Sequence, residues 1–172
     1  MTPTLESDRL ILRPYTFDLV SSRHINWLND KVVTRFSEQR HRHHTLSSQL
    51  DYVGNFPEGS HLWLICMKPD APFPDIGSLS AHIDHNNLIA NMGIMIGETS
   101  VWSSGYGLEA WTCAMNHLLG HDIRKIEAGC MEGNVGMETI FRRSGMICEA
   151  IIPDHFWDGA EPKDKLCYGR IK

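Results

Sequence analysis

Asn91 to Leu119, NMGIMIGETSVWSSGYGLEAWTCAMNHLL, decides how the rest of the chain is read. Met92, Ile94 and Ile96 alternate with smaller or flatter positions, the pattern of a strand with one buried face. Trp102, Ser103, Ser104, Gly105, Tyr106 and Gly107 follow as a loop rich in Ser and Gly. Leu108, Trp111, Thr112, Met115, Leu118 and Leu119 then recur on a 3.6-residue period, the apolar stripe of a helix that Gly120 stops. The first N–H groups of a helix have no internal partner, and the helix dipole leaves partial positive charge there. Glycines let a phosphate come close to the backbone, so the expected ligand is an anion, above all a pyrophosphate. An ordinary tight strand-to-helix turn shares this short pattern, so the loop alone does not decide the matter.

Upstream, Asn86-Asn87 is a turn signal that joins a strand over Leu88–Ile96 to one from Asp75 to Asp84, where Ile76, Leu79 and Ile83 are apolar. His61 to Met67 is a continuous apolar run and reads as a central strand. Pro69, Pro72 and Pro74 make the loop between them. Arg9 to Pro14 reads as the first strand. Asp18 is expected to cap a helix running to about Asn29, with Ile25 and Leu28 on its buried face. The segment Arg35 to Thr45, RFSEQRHRHHT, is too polar for core. Thr45 is expected to cap a helix from Leu46 to Val53 that ends at Gly54.

Downstream, Lys125 to Cys130 is a short strand. Asn134 begins a helix with Met137, Ile140, Phe141 and Ser144 on one side, ended by Gly145. Met146 to Ile152 and Leu166 to Ile171 close the chain as strands, with His155, Phe156, Trp157, Asp158 and Gly159 as loop between them. The order predicts a mixed α/β sheet with helices on its faces.

The chain of 172 residues suits a single domain, 1–172. A net charge of −5 argues against a general nucleic-acid binder. No apolar run approaches the roughly 18 residues needed to span a membrane, and no secretory signal is visible. The five cysteines are scattered without CxxC spacing, as reduced packing residues of a cytoplasmic protein would be.

These residues resemble the GNAT N-acetyltransferase superfamily over nearly the whole chain, in particular the branch of the ribosomal-protein alanine acetyltransferases. The opening DRLILRPY is similar to that branch's first strand, and Trp27 to Asp30, WLND, is common there. Gly93 to Gly97 followed by WSSGYGLEAW is similar to the strand and acetyl-CoA loop of the form Q/R-x-x-G-x-G/A, with Trp102 in place of Gln or Arg. Asn134 and the Arg-Ser-Gly-Met ending resemble the second motif. The resemblance implies a central, mostly antiparallel twisted sheet with helices on both faces, and acetyl-CoA as co-substrate. It implies a strand that splays from its neighbour, with open backbone groups around Ile94, Met95 and Ile96 pairing with the pantetheine arm. The loop from Trp102 to Leu108 would hold the pyrophosphate. Asn134 would hydrogen-bond the cofactor, or serve as a plain helix cap, or both. The amine would attack the thioester directly, helped by positioning and by backbone N–H groups at the oxyanion.

The sequence departs from the pattern at the acid. Phe141 stands where many relatives carry Tyr, and Met137 where some carry Ser. Neither donates a proton, so the thiolate leaves unassisted or takes a proton from water or another side chain. Unassisted departure is tolerable for a thiol of pKa about 8.5. Phe141 would instead pack against the cofactor. As base, His82 has the right intrinsic pKa, although an exposed strand histidine is the plainer reading. Asp84, Glu98 and Glu38 are the other candidates.

Glu38, Arg40 and His41 sit where the family places its variable acceptor-binding loop. His41, His43 and His44 match no closed zinc spacing, so no metal is expected. A solvated loop is the plain reading of this segment. The sharper one is recognition by Arg40 and its neighbours of an anionic acceptor, such as a nucleotide-linked amino sugar. A protein N-terminus or a small metabolite amine stays open, as does a monomer or a homodimer. Two further readings compete. Gly105-x-Gly107-x-x-Ala110 matches the G-x-G-x-x-A dinucleotide fingerprint of an oxidoreductase, with Glu127 near the ribose-binding offset. Too little chain follows Gly105 for the rest of a doubly wound sheet. The other is a non-catalytic CoA-binding module that has lost its acid.

Overall fold

The computed structural model describes residues 1–68 and 75–172; Pro69, Pro72 and Pro74, expected in a loop, lie outside the described residues. The strands are β1 (Leu5–Glu6), β2 (Leu10–Pro14), β3 (His61–Met67), β4 (Asp75–Asp84), β5 (Ile89–Ile96), β6 (Lys125–Met131), β7 (Ile147–Trp157) and β8 (Pro162–Ile171). The helices are α1 (Ser22–Asn29), α2 (Lys31–Thr34), α3 (Leu46–Gly54), α4 (Tyr106–Gly120) and α5 (Val135–Arg143). The strands form one eight-stranded sheet in the order β1-β2-β3-β4-β5-β6-β8-β7. β5 and β6 run parallel, and every other neighbouring pair is antiparallel.

β3 shows why the sheet is covered on both faces. Trp63 and Ile65 join the main core with Trp111, Ala114 and Met115 of α4, while Leu62, Leu64 and Cys66 join a second cluster with Tyr15, Val53 and Phe56. Each such large side chain removed from water stabilises the fold by about 1.5–3 kcal/mol. The continuous apolar run therefore marks burial on both sides of an antiparallel strand. The β4–β5 turn is closed by Asp84, whose Oδ1 accepts from the Asn86 and Asn87 amides at 3.0 Å each.

The functional geometry comes from the β5–β6 pair. The two strands pair only over Ile89–Asn91 against Lys125–Glu127. Beyond that, β5 stays with β4 as far as Ile96 opposite Gly77. β6 stays with β8 as far as Met131 opposite Lys165. Two halves of one sheet therefore part, leaving the outer end of β5 with an open edge.

Several boundaries differ from the sequence reading. Asp18 does not cap α1; it lies in a short 3-10 turn, Phe17–Leu19, and accepts from the Thr16 hydroxyl at 2.6 Å. α1 begins at Ser22, and its buried face is His24 and Trp27, with Ile25 and Leu28 only half-buried. Trp27 takes the inner position because Gly97 opposite it is bare: a Cβ there would lie 2.1 Å from the indole ring. On α4, Ala110 and Ala114 occupy the deepest positions and Leu108 and Thr112 are half-buried. Small side chains let the helix approach the sheet, which a hydropathy pattern does not register. His155, Phe156 and Trp157, expected in a loop, belong to β7, with Phe156 opposite Lys163 and Trp157 opposite Pro162. A register shift between Ile152 and Phe156 absorbs the irregular Pro153-Asp154 step. The turn shrinks to residues around Asp158, whose Oδ1 accepts from the Ala160 and Glu161 amides. Thr45 caps α3 as expected, in a reciprocal capping box with Ser48. No helix among the described residues is long and apolar enough to cross a membrane.

Candidate functional site

Where β5 and β6 part, a cavity of about 840 Å³ opens. Its walls are β5 from Met92 to Ile96, the loop with the first turn of α4, the end of β6, and α5. Ile94, Met95, Ile96, Trp102, Ser103, Gly105, Tyr106, Gly107, Leu108, Asn134 and Phe141 all line it, and Ser104 does not. Leu108 points into this cavity rather than the core, which explains its partial exposure.

The loop is built to leave N–H groups free. Gly105 precedes α4 at φ +84°, a left-handed conformation that glycine adopts without strain. The Trp102 and Ser104 amides are spent inside the turn, on Thr99 and Val101 carbonyls. Among the described residues, the amides of Ser103, Gly105, Tyr106, Gly107 and Leu108 have no acceptor. They converge at the positive end of a helix of 15 residues, as an anion site requires. Trp102 donates its indole N–H to the Ile96 carbonyl at 2.8 Å, tying the loop to the end of β5.

A brace that the sequence did not reveal holds this loop. Arg9 donates to the Ser104 carbonyl at 3.1 Å, stacks 4.2 Å over the Tyr106 ring and pairs with Glu109 at 2.6 Å. Burial alone would raise the Glu109 pKa. Hydrogen bonds from the Arg9 amide, the Ser7 hydroxyl and the Arg9 guanidinium outweigh it and hold the carboxyl below its usual range. Asn134 caps α5, its Oδ1 accepting from the Met137 amide at 3.2 Å. Phe141 is fully buried in the cavity floor, with ring centroids 5.4 Å from Trp111 and 4.8 Å from Tyr168. Arg35 and Arg143 add positive charge at the lining.

A second cavity, about 460 Å³, lies between β4–β5 and the helices α1 and α3. It meets the first at Ser37 and at Gly93, Ile94 and Met95. Its polar lining includes Tyr15, His24, Gln49, Arg42, His43 and His44, and no carboxylate among the described residues lines it. Tyr15, His24 and Gln49 were not singled out from the sequence. The available signal was a histidine on the inner face of a short helix.

The sequence-nominated acceptor and base residues are divided by this geometry. Glu38 lines the first cavity, paired with Arg40 at 2.9 Å. Arg40 is a structural clamp: it donates to the Ser37 and Trp157 carbonyls at 3.0 and 2.9 Å, tying its turn to β7. His41 is exposed beside Glu38 and lines neither cavity. The neighbours Arg42, His43 and His44 are the ones that reach the second cavity. His82 is not brought to either cavity. It is exposed on β4, opposite Asn91, with its ring 4.8 Å from Phe56. Asp84 holds the hairpin turn, and Glu98 pairs with Arg23 at 2.6 Å. Among the described residues, no group of three or more His, Cys, Asp or Glu could hold a metal ion.

Residues 9–147 match the family model of the acetyltransferase (GNAT) domain. RimL, a ribosomal L7/L12 alpha-N-protein acetyltransferase in complex with coenzyme A, superposes with a TM-score of 0.83 at 20% identity, over 98% of each chain. An acetyltransferase of the GNAT family from Bacillus anthracis gives 0.82 at 16% identity, over 98% of each chain. The microcin C7 self-immunity acetyltransferase MccE, in complex with acetyl-CoA and AMP, gives 0.80 at 15% identity, covering 96% of this chain and 94% of that one. These likenesses show the fold. No curated protein matches the sequence. The dinucleotide reading falls with the topology: β5 is antiparallel to β4, where a doubly wound domain needs a parallel sheet around its loop.

Proposed function

The chain belongs to the GNAT acetyltransferase family, and from that premise we propose that residues 1–172 act as one N-acetyltransferase domain whose acceptor is an amine carrying an anionic group, above all a nucleotide-linked amino sugar. An acyltransferase that uses acetyl-CoA as co-substrate and an amine as acceptor follows from the family itself. The finer reading concerns which side of β5 does what.

The residues of the first cavity suit acetyl-CoA. Its phosphates need unpaired N–H donors, and the amides of Ser103 and Gly105 to Leu108 offer them. Its pantetheine arm carries amides, and the open edge of β5 from Met92 to Ile96 offers strand-type partners. When bound, acetyl-CoA supplies the activated acetyl thioester. The chain's own part is to fix that group beside Gly93–Met95, where the two cavities meet, and to present backbone N–H groups to the oxyanion.

One observation carries the acceptor reading: Arg42, His43 and His44 line the second cavity and, among the described residues, no carboxylate does. That lining suits a phosphate-bearing acceptor and disfavours a polycationic one. Tyr52 gives it an exposed aromatic surface against which a sugar or base can lie. The structure of MccE in complex with acetyl-CoA and AMP supports a nucleotide-bearing acceptor on this fold. The test is initial rates with acetyl-CoA and three probes: UDP-glucosamine, an alanine-terminated tetrapeptide and spermidine. A preference for UDP-glucosamine is expected. A preference for the peptide or for spermidine would overturn the acceptor class while leaving acetyl transfer intact.

A further inference from the structure

At the back of the second cavity, four side chains from four separated elements form one hydrogen-bonded chain. Asp75 Oδ2, at the start of β4, lies 2.5 Å from His24 Nε2 of α1. His24 Nδ1 lies 2.7 Å from the hydroxyl of Tyr15, which follows β2. Gln49 Nε2 of α3 donates to the same hydroxyl at 3.3 Å. His24 is 3% exposed and Tyr15 6%, yet both line the cavity. The Ser21 hydroxyl also lies 3.4 Å from His24 Nδ1, and the Asp75 carboxylate sets the direction of the chain. The Asp75 carboxyl lies below its usual range, chiefly through its hydrogen bond to His24. An ionised Asp75 accepts from Nε2–H, which leaves Nδ1 bare to accept from the Tyr15 O–H. Burial pushes the Tyr15 phenol up to about 12, so it enters the relay as a neutral hydroxyl. Its oxygen keeps one lone pair for a molecule in the cavity that Tyr15 lines.

We propose that Tyr15, His24 and Asp75 form the proton relay that deprotonates the acceptor amine, with Tyr15 touching the amine and His24 and Asp75 acting through it. The incoming ammonium gives one proton to the Tyr15 oxygen as the Tyr15 hydroxyl proton moves to His24 Nδ1. The imidazolium so formed is paired with the Asp75 carboxylate. The freed amine lone pair forms the C–N bond at the thioester carbonyl, the C–S bond breaks, and the leaving thiolate takes the second amine proton. His24 then returns its proton to solvent through the same hydroxyl. This assigns the base role, for which the sequence nominated His82, to a group that opens on the cavity beside Gly93–Met95. Such proton transfer contributes roughly 10²–10⁴ in rate. Among the described residues, the charged and titratable groups around the relay include Arg13 beside Cys66 of β3, Arg23 of α1, Tyr52 of α3 and the Arg42–His44 turn. The inference rests on the second cavity being the acceptor side and is independent of which acceptor is natural.

The test compares two small amines at saturating acetyl-CoA, ethanolamine, which is protonated at neutral pH, and hydroxylamine, which is not. For Tyr15→Phe, the rate with ethanolamine should fall roughly a hundredfold or more at neutral pH, and the deficit should close as pH rises and the amine deprotonates in solution. With hydroxylamine the variant should stay within about threefold of wild type, well short of a general-base contribution. His24→Gln should repeat the pattern, and both variants should keep the wild-type thermal shift with acetyl-CoA. An equal loss with both amines, or a deficit that does not change with pH, would make the cluster merely structural and overturn the proposal. So would a wild type that uses ethanolamine no faster than Tyr15→Phe does. None of these results depends on the outcome with UDP-glucosamine.

Discussion

The two cavities that meet at β5 are built from different materials. The first cavity, which we propose for acetyl-CoA, is main chain: a strand edge freed by divergence, and amides freed by a left-handed glycine at a helix start. The second cavity is side chain: a phenol that follows β2, an imidazole of α1 and an amide of α3, with the Asp75 carboxylate of β4 behind the imidazole. Backbone sites respond to changes in shape and local conformation. Side-chain sites respond to changes in charge and proton inventory. The division also separates what the two halves of the reaction require. A cofactor of fixed structure needs fixed dipoles, whereas an acceptor must be chosen and deprotonated.

The comparison can be broken most forcefully where the cofactor floor is also core. Phe141→Ala removes a fully buried ring held between Trp111 and Tyr168. A loss of about 3–5 kcal/mol in stability is expected, read as a lower denaturant midpoint. A loss under about 1 kcal/mol would mean that the floor collapses to fill the space.

Gly105→Val probes the backbone half directly. A β-branched residue at φ +84° costs about 1–2 kcal/mol, and the turn that relaxes to avoid it misaims the free amides. Acetyl-CoA affinity by calorimetry should fall tenfold or more, about 1.4 kcal/mol, with Tm falling by a few degrees. Unchanged affinity would show that the loop amides are not the phosphate site.

Arg42→Gln probes the side-chain half. KM for UDP-glucosamine should rise about tenfold, in line with the roughly 1.5–3 kcal/mol of a hydrogen bond to a charged group, while acetyl-CoA affinity stays put. If both constants moved together, the two cavities would not be separable in function.

The smallest effect sharpens the contrast by pH. The Asp75 carboxyl sits below its usual value because His24 donates to it. The stability this contributes is full above the unfolded carboxyl pKa of about 3.9 and is lost as pH falls through the lower folded value. The Tm difference between wild type and Asp75→Asn should therefore shrink between about pH 5 and pH 3. Glu109, also held below its usual range, should show the same acid-side loss in Glu109→Gln.

The same division explains how much was legible in the sequence. The strand, the Gly-rich loop and α4 are contiguous, so their alternation, glycine and 3.6-residue period pointed to the residues that line the cavity between β5 and β6. Ser104 was the exception, because its amide is spent on Val101 and only the coordinates show that. Residues of the second cavity are spread over tens of positions, and no local pattern links Tyr15 to Gln49 or Asp75. His24 looked like an ordinary polar helix position because Ile25 and Leu28 are more hydropathic. Its burial comes from satisfied nitrogens, not from hydropathy. Arg40 drew attention through its charge, but its guanidinium is consumed by the Ser37 and Trp157 carbonyls. A histidine of suitable intrinsic pKa, His82, was legible, but its distance from the site was not. The extension of β7 through Trp157 was hidden by a register shift that disguises the strand period.

The most direct measurement is amide hydrogen exchange with and without acetyl-CoA, resolved to single residues. Added protection is expected at Ile94 to Ile96 and at Gly105 to Leu108, with Tyr15, His24 and Gln49 unchanged. Protection that falls instead on α1 and α3, leaving the α4 start as open as before, would contradict the assignment of the splayed strand and the helix start to the cofactor.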